Sequence, residues 1–172
     1  MAAINTIKDA SFWIEKLGLK KHPEGGFYRE TYRSDETIRA NALPERFADA
    51  RSISSSIYFL LRGKDFSALH CIKSDELWHF YTGGTLIIHS IDQKGKYFRI
   101  QLGNNFDNGE VFQALLKSGF WFGATLKDHT SYSLVGCTVS PGFDFKDFEM
   151  GNRAKLIKLY PKHRSIIEKL TR

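Results

Sequence analysis

The sequence is poor in the residues that would make it a disulfide-stapled, fibrous or membrane-spanning chain. Two cysteines, Cys71 and Cys137, stand among 172 residues, too few for a disulfide framework or a zinc knuckle. They read as free thiols buried in strands, and no base stands near Cys137 in the sequence to activate it. Four prolines and no repeated tract exclude a collagen-like or low-complexity chain. The longest apolar runs, such as Ile57–Leu61 and Leu86–Ile88, suit strands and fall far short of the roughly 20 residues that span a bilayer. The opening stretch MAAINTIKDASFWIEK carries charges and has no continuous apolar core. It does not read as a secretory signal, and a cytoplasmic location is the expectation.

Positive charge is also absent as a general feature. The net charge is +6, but residues Arg153 to Arg172 hold seven Lys/Arg against the single acid Glu168, leaving eighteen of each sign elsewhere. Nucleic-acid binding calls for basic residues interleaved with exposed aromatics, and this tail offers only Tyr160. It reads as a solvated helix face, with no nucleic-acid or membrane partner expected.

What is present is a globular composition, 42% hydrophobic with abundant phenylalanine, of a length that suits one domain over residues 1–172. Residues 5–18 read as a helix: Asn5 or Thr6 caps it, Ile7, Ala10, Ile14 and Leu17 share a face, and Gly18 supplies the left-handed stop. HPEGG at 22–26 reads as a turn, and Phe27 to Arg33 as a strand. Residues 34–51 are polar and aperiodic, fitting a lid, an interface arm or a disordered surface loop. From Ser52 to Thr138, strand-sized segments alternate with turns every eight to twelve residues or so, the spacing of a sandwich or barrel. Phe143–Met150 alternates weakly, Arg153–Tyr160 fits either a strand or a helix start, and Lys162–Leu170 reads as a short helix behind Pro161.

Seventeen residues concentrate the chemistry: Ser67 to Gly83, SALHCIKSDELWHFYTG, with His70, His79, Asp75, Glu76 and Trp78 between strand-like flanks. Ionisable groups in a β-rich window cost free energy to bury unless paired, so this window is expected to line the mouth of a small barrel. His22, His89, His129 and His163 read as surface or structural. HPEGG either closes over the pocket or reaches a partner subunit, or is a tight turn followed by a surface ion pair, Arg29 and Glu30.

These residues resemble the cupin superfamily. Its first motif runs Gly, five residues, His-x-His, three or four residues, Glu, six residues, Gly. Here His70 precedes Glu76 by six positions, six residues separate Glu76 from Gly83, Gly63 falls one position off, and Ile72 replaces the second histidine. The words HPEGGFYRETYRS, SSSIYFLL, SDELWHFYTG, SGFWFGATL and LVGCTVSPGFDFKDFEMG resemble the uncharacterised cupin-5 branch over essentially the whole chain. The resemblance implies a mostly β fold, a double-stranded β-helix (jelly-roll barrel) with short N- and C-terminal helices. It also implies a likeness in fold to the dTDP-sugar 3,5-epimerases, to germins and to seed storage proteins, and a homodimer.

In the second cupin motif, Gly119 would place Phe122 at the metal-binding histidine and Leu126 at the asparagine. No cofactor is therefore expected; a divalent metal would have His70, Glu76 and, as a third ligand, His79, although alternation puts His79 on the face opposite Glu76 and Trp78. The expected function is a small-molecule-binding cupin, with a metal-independent isomerase or epimerase of a sugar-like carbonyl compound as the enzymatic form. His70 would be the base, Glu76 its orienter, and Tyr58 or Tyr132 the proton donor. Trp78, Phe80, Trp121 and Phe122 would wall the ligand site, with Arg29 and Glu30 at its edge. The alternatives are a non-catalytic metabolite-binding protein and a metal-dependent enzyme.

Overall fold

Alternating inward and outward side chains organise two antiparallel sheets that face one another across the core. The structure is a computed structural model describing residues 8–172. In chain order its elements are α1 (Ala10–Lys16), β1 (Lys20–Lys21), β2 (Phe27–Arg33), β3 (Thr37–Ile38), β4 (Arg51–Ser52), β5 (Ser55–Arg62), β6 (Phe66–Ile72) and β7 (Asp75–Gly83). There follow β8 (Leu86–Ile91), β9 (Tyr97–Leu102), β10 (Gln113–Leu116), β11 (Trp121–Leu126), β12 (Tyr132–Ser140), β13 (Phe148–Met150), α2 (Arg153–Leu159) and α3 (Arg164–Lys169).

One sheet has the order β1-β2-β5-β12-β7-β10 and the other β13-β6-β11-β8-β9. Phe59, Trp78, Leu116 and Val135 from the first meet Ile72, Ile88, Leu102 and Phe122 from the second in one buried cluster. Side chains on the outer faces are covered by the terminal helices. α1 lays Trp13 and Ile14 over Phe27, Leu60 and Leu134, while α2 and α3 bring Leu156, Ile167 and Leu170 onto Leu69 and Ile91. This is the expected jelly roll with helices at both ends, and it needs both because a sheet buries apolar surface on each face only when something covers it.

Local hydrogen bonding settles the ends of two helices. α1 begins at Ala10, capped by the Asp9 carboxylate, which accepts from the Phe12 N–H at 2.8 Å. The proposed caps Asn5 and Thr6 lie outside the described residues. Gly18 takes the left-handed conformation, φ +60°. Arg153–Leu159 is helix, the second of the two readings, with its Lys155 N–H donating to the capping Asn152 side chain. Lys155, Lys158, Lys162, Arg164 and Lys169 are exposed, so the basic tail is a solvated helical face.

Residues 34–51 are ordered and anchored, not a loose loop. β3 pairs with β4, and Phe47 is buried beneath the guanidinium groups of Arg46 and Arg51. Arg51 then forms a two-pronged ion pair with Asp147, Nε and Nη2 donating to Oδ2 and Oδ1 at 2.6 and 2.7 Å. The anchor is long-range in sequence, so composition and local pattern could not reveal it. Among the described residues no helix is long and apolar enough to cross a membrane.

Candidate functional site

A cavity of about 480 Å³ opens between the sheets, and β2, β5, β6, β7 and β12 supply most of its wall. Strand register decides which side chains enter it. Tyr28 sits opposite Phe59, Glu30 opposite Ile57 and Arg33 opposite Ser55, and all six line the cavity. Glu30 and Arg33 differ in parity, so simple alternation would send them to opposite faces. A bulge between Glu30 and Tyr32 leaves Thr31 unpaired and restores Arg33 to the inner face. On β7, Glu76 and Trp78 point inward opposite Val139 and Cys137 of β12. The segment after β12 contributes Phe143, Asp144, Phe145 and Phe148.

At the centre of the polar wall is Glu24, 6% exposed. Its Oε1 accepts from Ser67 Oγ at 2.8 Å. Oε2 lies between two imidazoles, 3.3 Å from His70 Nε2 and 3.4 Å from His22 Nδ1. His70 Nδ1 is 2.8 Å from the Ala68 carbonyl, and since a carbonyl only accepts, Nδ1 carries the proton. In the neutral ring Nε2 is then a lone pair, and it can meet Glu24 favourably only if one proton lies between them. Burial raises the Glu24 carboxyl above its ordinary range and lowers His70 below its own. His22 is lowered as well, chiefly by burial.

Glu76 is buried and faces the cavity beside this network. Burial, reinforced by the nearby Glu24 charge, pushes its carboxyl up to about 7 against the opposing pull of His70. No cation lies within ion-pair distance of it among the described residues. The Cys137 thiol and the Trp78 indole lie near enough to favour its charged form, yet Trp78 Nε1 meets no acceptor in hydrogen-bond geometry. Burial and Glu76 together drive the Cys137 thiol well above its ordinary value, which leaves it protonated and unreactive. The Cys71 thiol is pushed up to about 11, first by burial and then by Glu149.

Of the residues expected at the site, His70, Glu76, Trp78 and Glu30 line the cavity. His70 and Glu76 share it, but the carboxylate nearest the imidazole is Glu24. The remaining expectations are corrected by sheet geometry. Tyr58 and Tyr132 face outward onto α1, where Tyr132 Oη accepts from Trp13 Nε1 at 2.9 Å. Arg29 is exposed and lies over Tyr58. Phe80 and Phe122 pack in the core rather than on the cavity wall, and Trp121 packs beneath the C-terminal helices. His79 bonds Thr138 and Gln113 on the outer face, opposite Glu76 as alternation requires. His22 is a cavity residue rather than a surface one.

His22, Glu24, Tyr28 and the phenylalanines of 143–148 lay outside the predicted site, and the HPEGG turn was the one available signal. Its glycines show why it folds inward: Gly25 and Gly26 adopt φ of +118° and +70°, and a Cβ on Gly25 would run into the Phe66 carbonyl oxygen. Gly25→Ala is expected to cost at least about 2 kcal/mol and to displace Glu24, with urea unfolding as the measure. A cost under about 0.5 kcal/mol would refute the close-approach argument.

The residues do not fit a divalent metal site. Among the described residues no group of three or more His, Cys, Asp or Glu side chains is arranged to hold an ion, where such sites use about three protein ligands. Phe122, fully buried, packs its ring against His70 with centroids 4.2 Å apart. Ile72 is buried beside it.

Comparison with known proteins follows the same outline. The family model of the cupin superfamily (DUF985) matches residues 11–151. The uncharacterized protein YML079W of Saccharomyces cerevisiae is 27% identical over 152 residues, covering 78% of this chain and 71% of the relative. Protein SO0799 of Shewanella oneidensis superposes with a TM-score of 0.86 at 40% identity, over 95% of this chain and 98% of the other. A hypothetical protein from Leishmania major gives the same score and coverage at 35% identity. Oxalate decarboxylase from Bacillus subtilis, at 16% identity and a TM-score of 0.54 over 87% of this chain and 36% of its own, shares the fold alone.

Proposed function

The chain belongs to the cupin superfamily family DUF985, and from that premise we propose that its cavity binds a ring-shaped, carbonyl-bearing metabolite and moves a proton on it without a metal. The observation that carries this reading is the juxtaposition of Glu76, Glu24, His70 and His22 in one cavity, with Glu76 held at about 7. A carboxyl poised near neutrality both accepts and donates a proton at working pH, which is what abstraction next to a carbonyl requires. Glu76 takes the proton, the Glu24–His70 pair sets its surroundings, and Trp78 Nε1 is the available donor for the carbonyl oxygen. His70, its two nitrogens engaged by Ala68 and Glu24, positions rather than abstracts. The sugar epimerases supply a chemical analogy only.

Binding without turnover is the second reading, and the full engagement of His70 favours it. Native mass spectrometry of protein purified without chelator, followed by incubation of any co-purified compound in D2O, separates the two. Deuterium entering next to the carbonyl, slowed roughly 100-fold or more in Glu76→Gln, supports acid–base turnover. A compound bound and returned without exchange supports binding alone, and a stoichiometric transition metal overturns the metal-free mechanism. The homodimer expected from the resemblance would use β2, which β1 covers only at Phe27 and Tyr28, and the intact mass in the same experiment reports it.

A further inference from the structure

We propose that the ligand of this cavity is an organic cation, a ring-bearing protonated amine or quaternary ammonium, and not a phosphorylated or nucleotide-linked sugar. This deepens the preceding reading and rests on the cavity being the ligand site.

The charge inventory is the first argument. Four carboxyl groups line the cavity, Glu24, Glu30, Glu76 and Asp144, against one cationic side chain, Arg33. Arg33 is already committed. Its Nε and Nη2 donate to the two oxygens of Glu30 at 3.1 and 2.6 Å, and its Nη1 to the Phe143 carbonyl at 2.9 Å and Ser52 Oγ at 3.3 Å. No guanidinium fork is left to clamp a phosphate, and the carboxyl groups would repel one.

The second argument is independent of the first. Glu76 is 7% exposed, lines the cavity, and has neither an ion-pair nor a hydrogen-bond partner in good geometry among the described residues. A buried carboxyl is normally paired, so the missing counter-charge is one that the ligand can bring. The histidines do not supply it, since burial keeps His22 and His70 below their ordinary values and hence neutral near pH 7.

The wall material agrees. Tyr28, Phe59, Trp78, Phe143, Phe145 and Phe148 line the cavity, with Phe143 and Phe145 centroids 5.0 Å apart and Phe59 and Trp78 5.6 Å apart. Aromatic faces closed by a carboxylate form the usual receptor for quaternary and protonated amines.

The test is a series of benzyl compounds differing in charge: benzyltrimethylammonium, benzyl alcohol and benzyl phosphate, each titrated calorimetrically into the whole protein. The cation is expected to bind at least about tenfold more tightly than the alcohol, and the phosphate more weakly than either. Cation affinity is expected to rise between about pH 6 and pH 8, with a proton released on binding, because Glu76 must ionise. The groups facing Glu76 are His70 on β6, Glu24 and His22 from the turn and Cys137 on β12, with Glu30, Arg33 and Asp144 nearer the mouth. Arg33 is raised above its ordinary value by its bond to Glu30 and stays charged, so Glu76 dominates the linkage. Glu76→Gln is expected to narrow the gap between cation and alcohol affinity to less than about twofold. If the alcohol binds and the cation does no better, or the phosphate binds best, the charge class is overturned and the cavity stands as a ligand site. If none of the three binds, both readings fall.

Discussion

At about pH 8 the Glu76→Gln variant is expected to unfold with a free energy roughly 3 kcal/mol larger than the parent protein. The sign follows from the direction of the shift. Glu76 is raised from 4.5 to about 7 by burial, so the folded state holds this proton more tightly than the unfolded chain does. The stability linked to it is fully present below about pH 4.5 and is lost as pH rises through about 7. Glutamine keeps the shape and remains neutral, so the variant should match the parent near pH 4.5 and diverge over that window. Glu24 lies beside Glu76, and any charge it carries adds to the gap. Urea unfolding across the window reads the difference as a shift in midpoint at constant slope. A flat difference, or a glutamine variant less stable at all pH values, would refute a burial-driven cost. A group retained at such a cost fits a ligand-facing role, since a bound cation would return the lost free energy.

The second large effect lies away from the cavity. Asp147→Ala is expected to destabilise the protein by about 3 kcal/mol, because it strands the Arg51 guanidinium, which is 4% exposed. Arg51 keeps its bonds to the Asp49 and Ala50 carbonyls, so the loss is the charge partner rather than every contact. The double replacement Arg51→Met with Asp147→Leu should recover most of the stability, since the pair gains little over apolar packing once both charges are gone. A double-mutant cycle in urea distinguishes these outcomes. A single-variant cost below about 1 kcal/mol would place the pair effectively in solvent. Residues 34–51 hang on this anchor, so limited proteolysis there should accelerate in the single variant.

Why the anchor and the site were only partly legible is a matter of range. Strand positions could be read because period-two alternation and turn residues act locally: the window Ser67 to Gly83 holds most of β6 and all of β7, and Glu76 and Trp78 share a face as alternation requires. His70 and Glu76 were visible as ionisable groups in a β window. Glu24 was not, because an acid after a proline looks like a surface turn until its carbonyl meets the Ala68 N–H, 44 residues further along the chain. Tyr58 and Tyr132 failed for the converse reason. Alternation fixes that neighbours point to opposite faces but not which face is the interior, and α1 covers theirs. Arg33 needed the bulge at Thr31, which shifts phase by one residue with no mark in composition.

The sequence by itself determined the jelly-roll class, the helix at each end, the neutral body with its basic tail, and the absence of a metal-ligand set at the family's positions. All of these depend on residue type and short spacing. Only the tertiary structure decided that Glu24 and His22 enter the cavity with His70 and Glu76, that Phe143–Phe148 form its rim, and that Arg51 locks the long loop. These depend on which segments the sheet order brings together. A buried carboxyl acquires its chemistry from neighbours contributed by β6, β7, β12 and a turn, and no local pattern encodes their meeting.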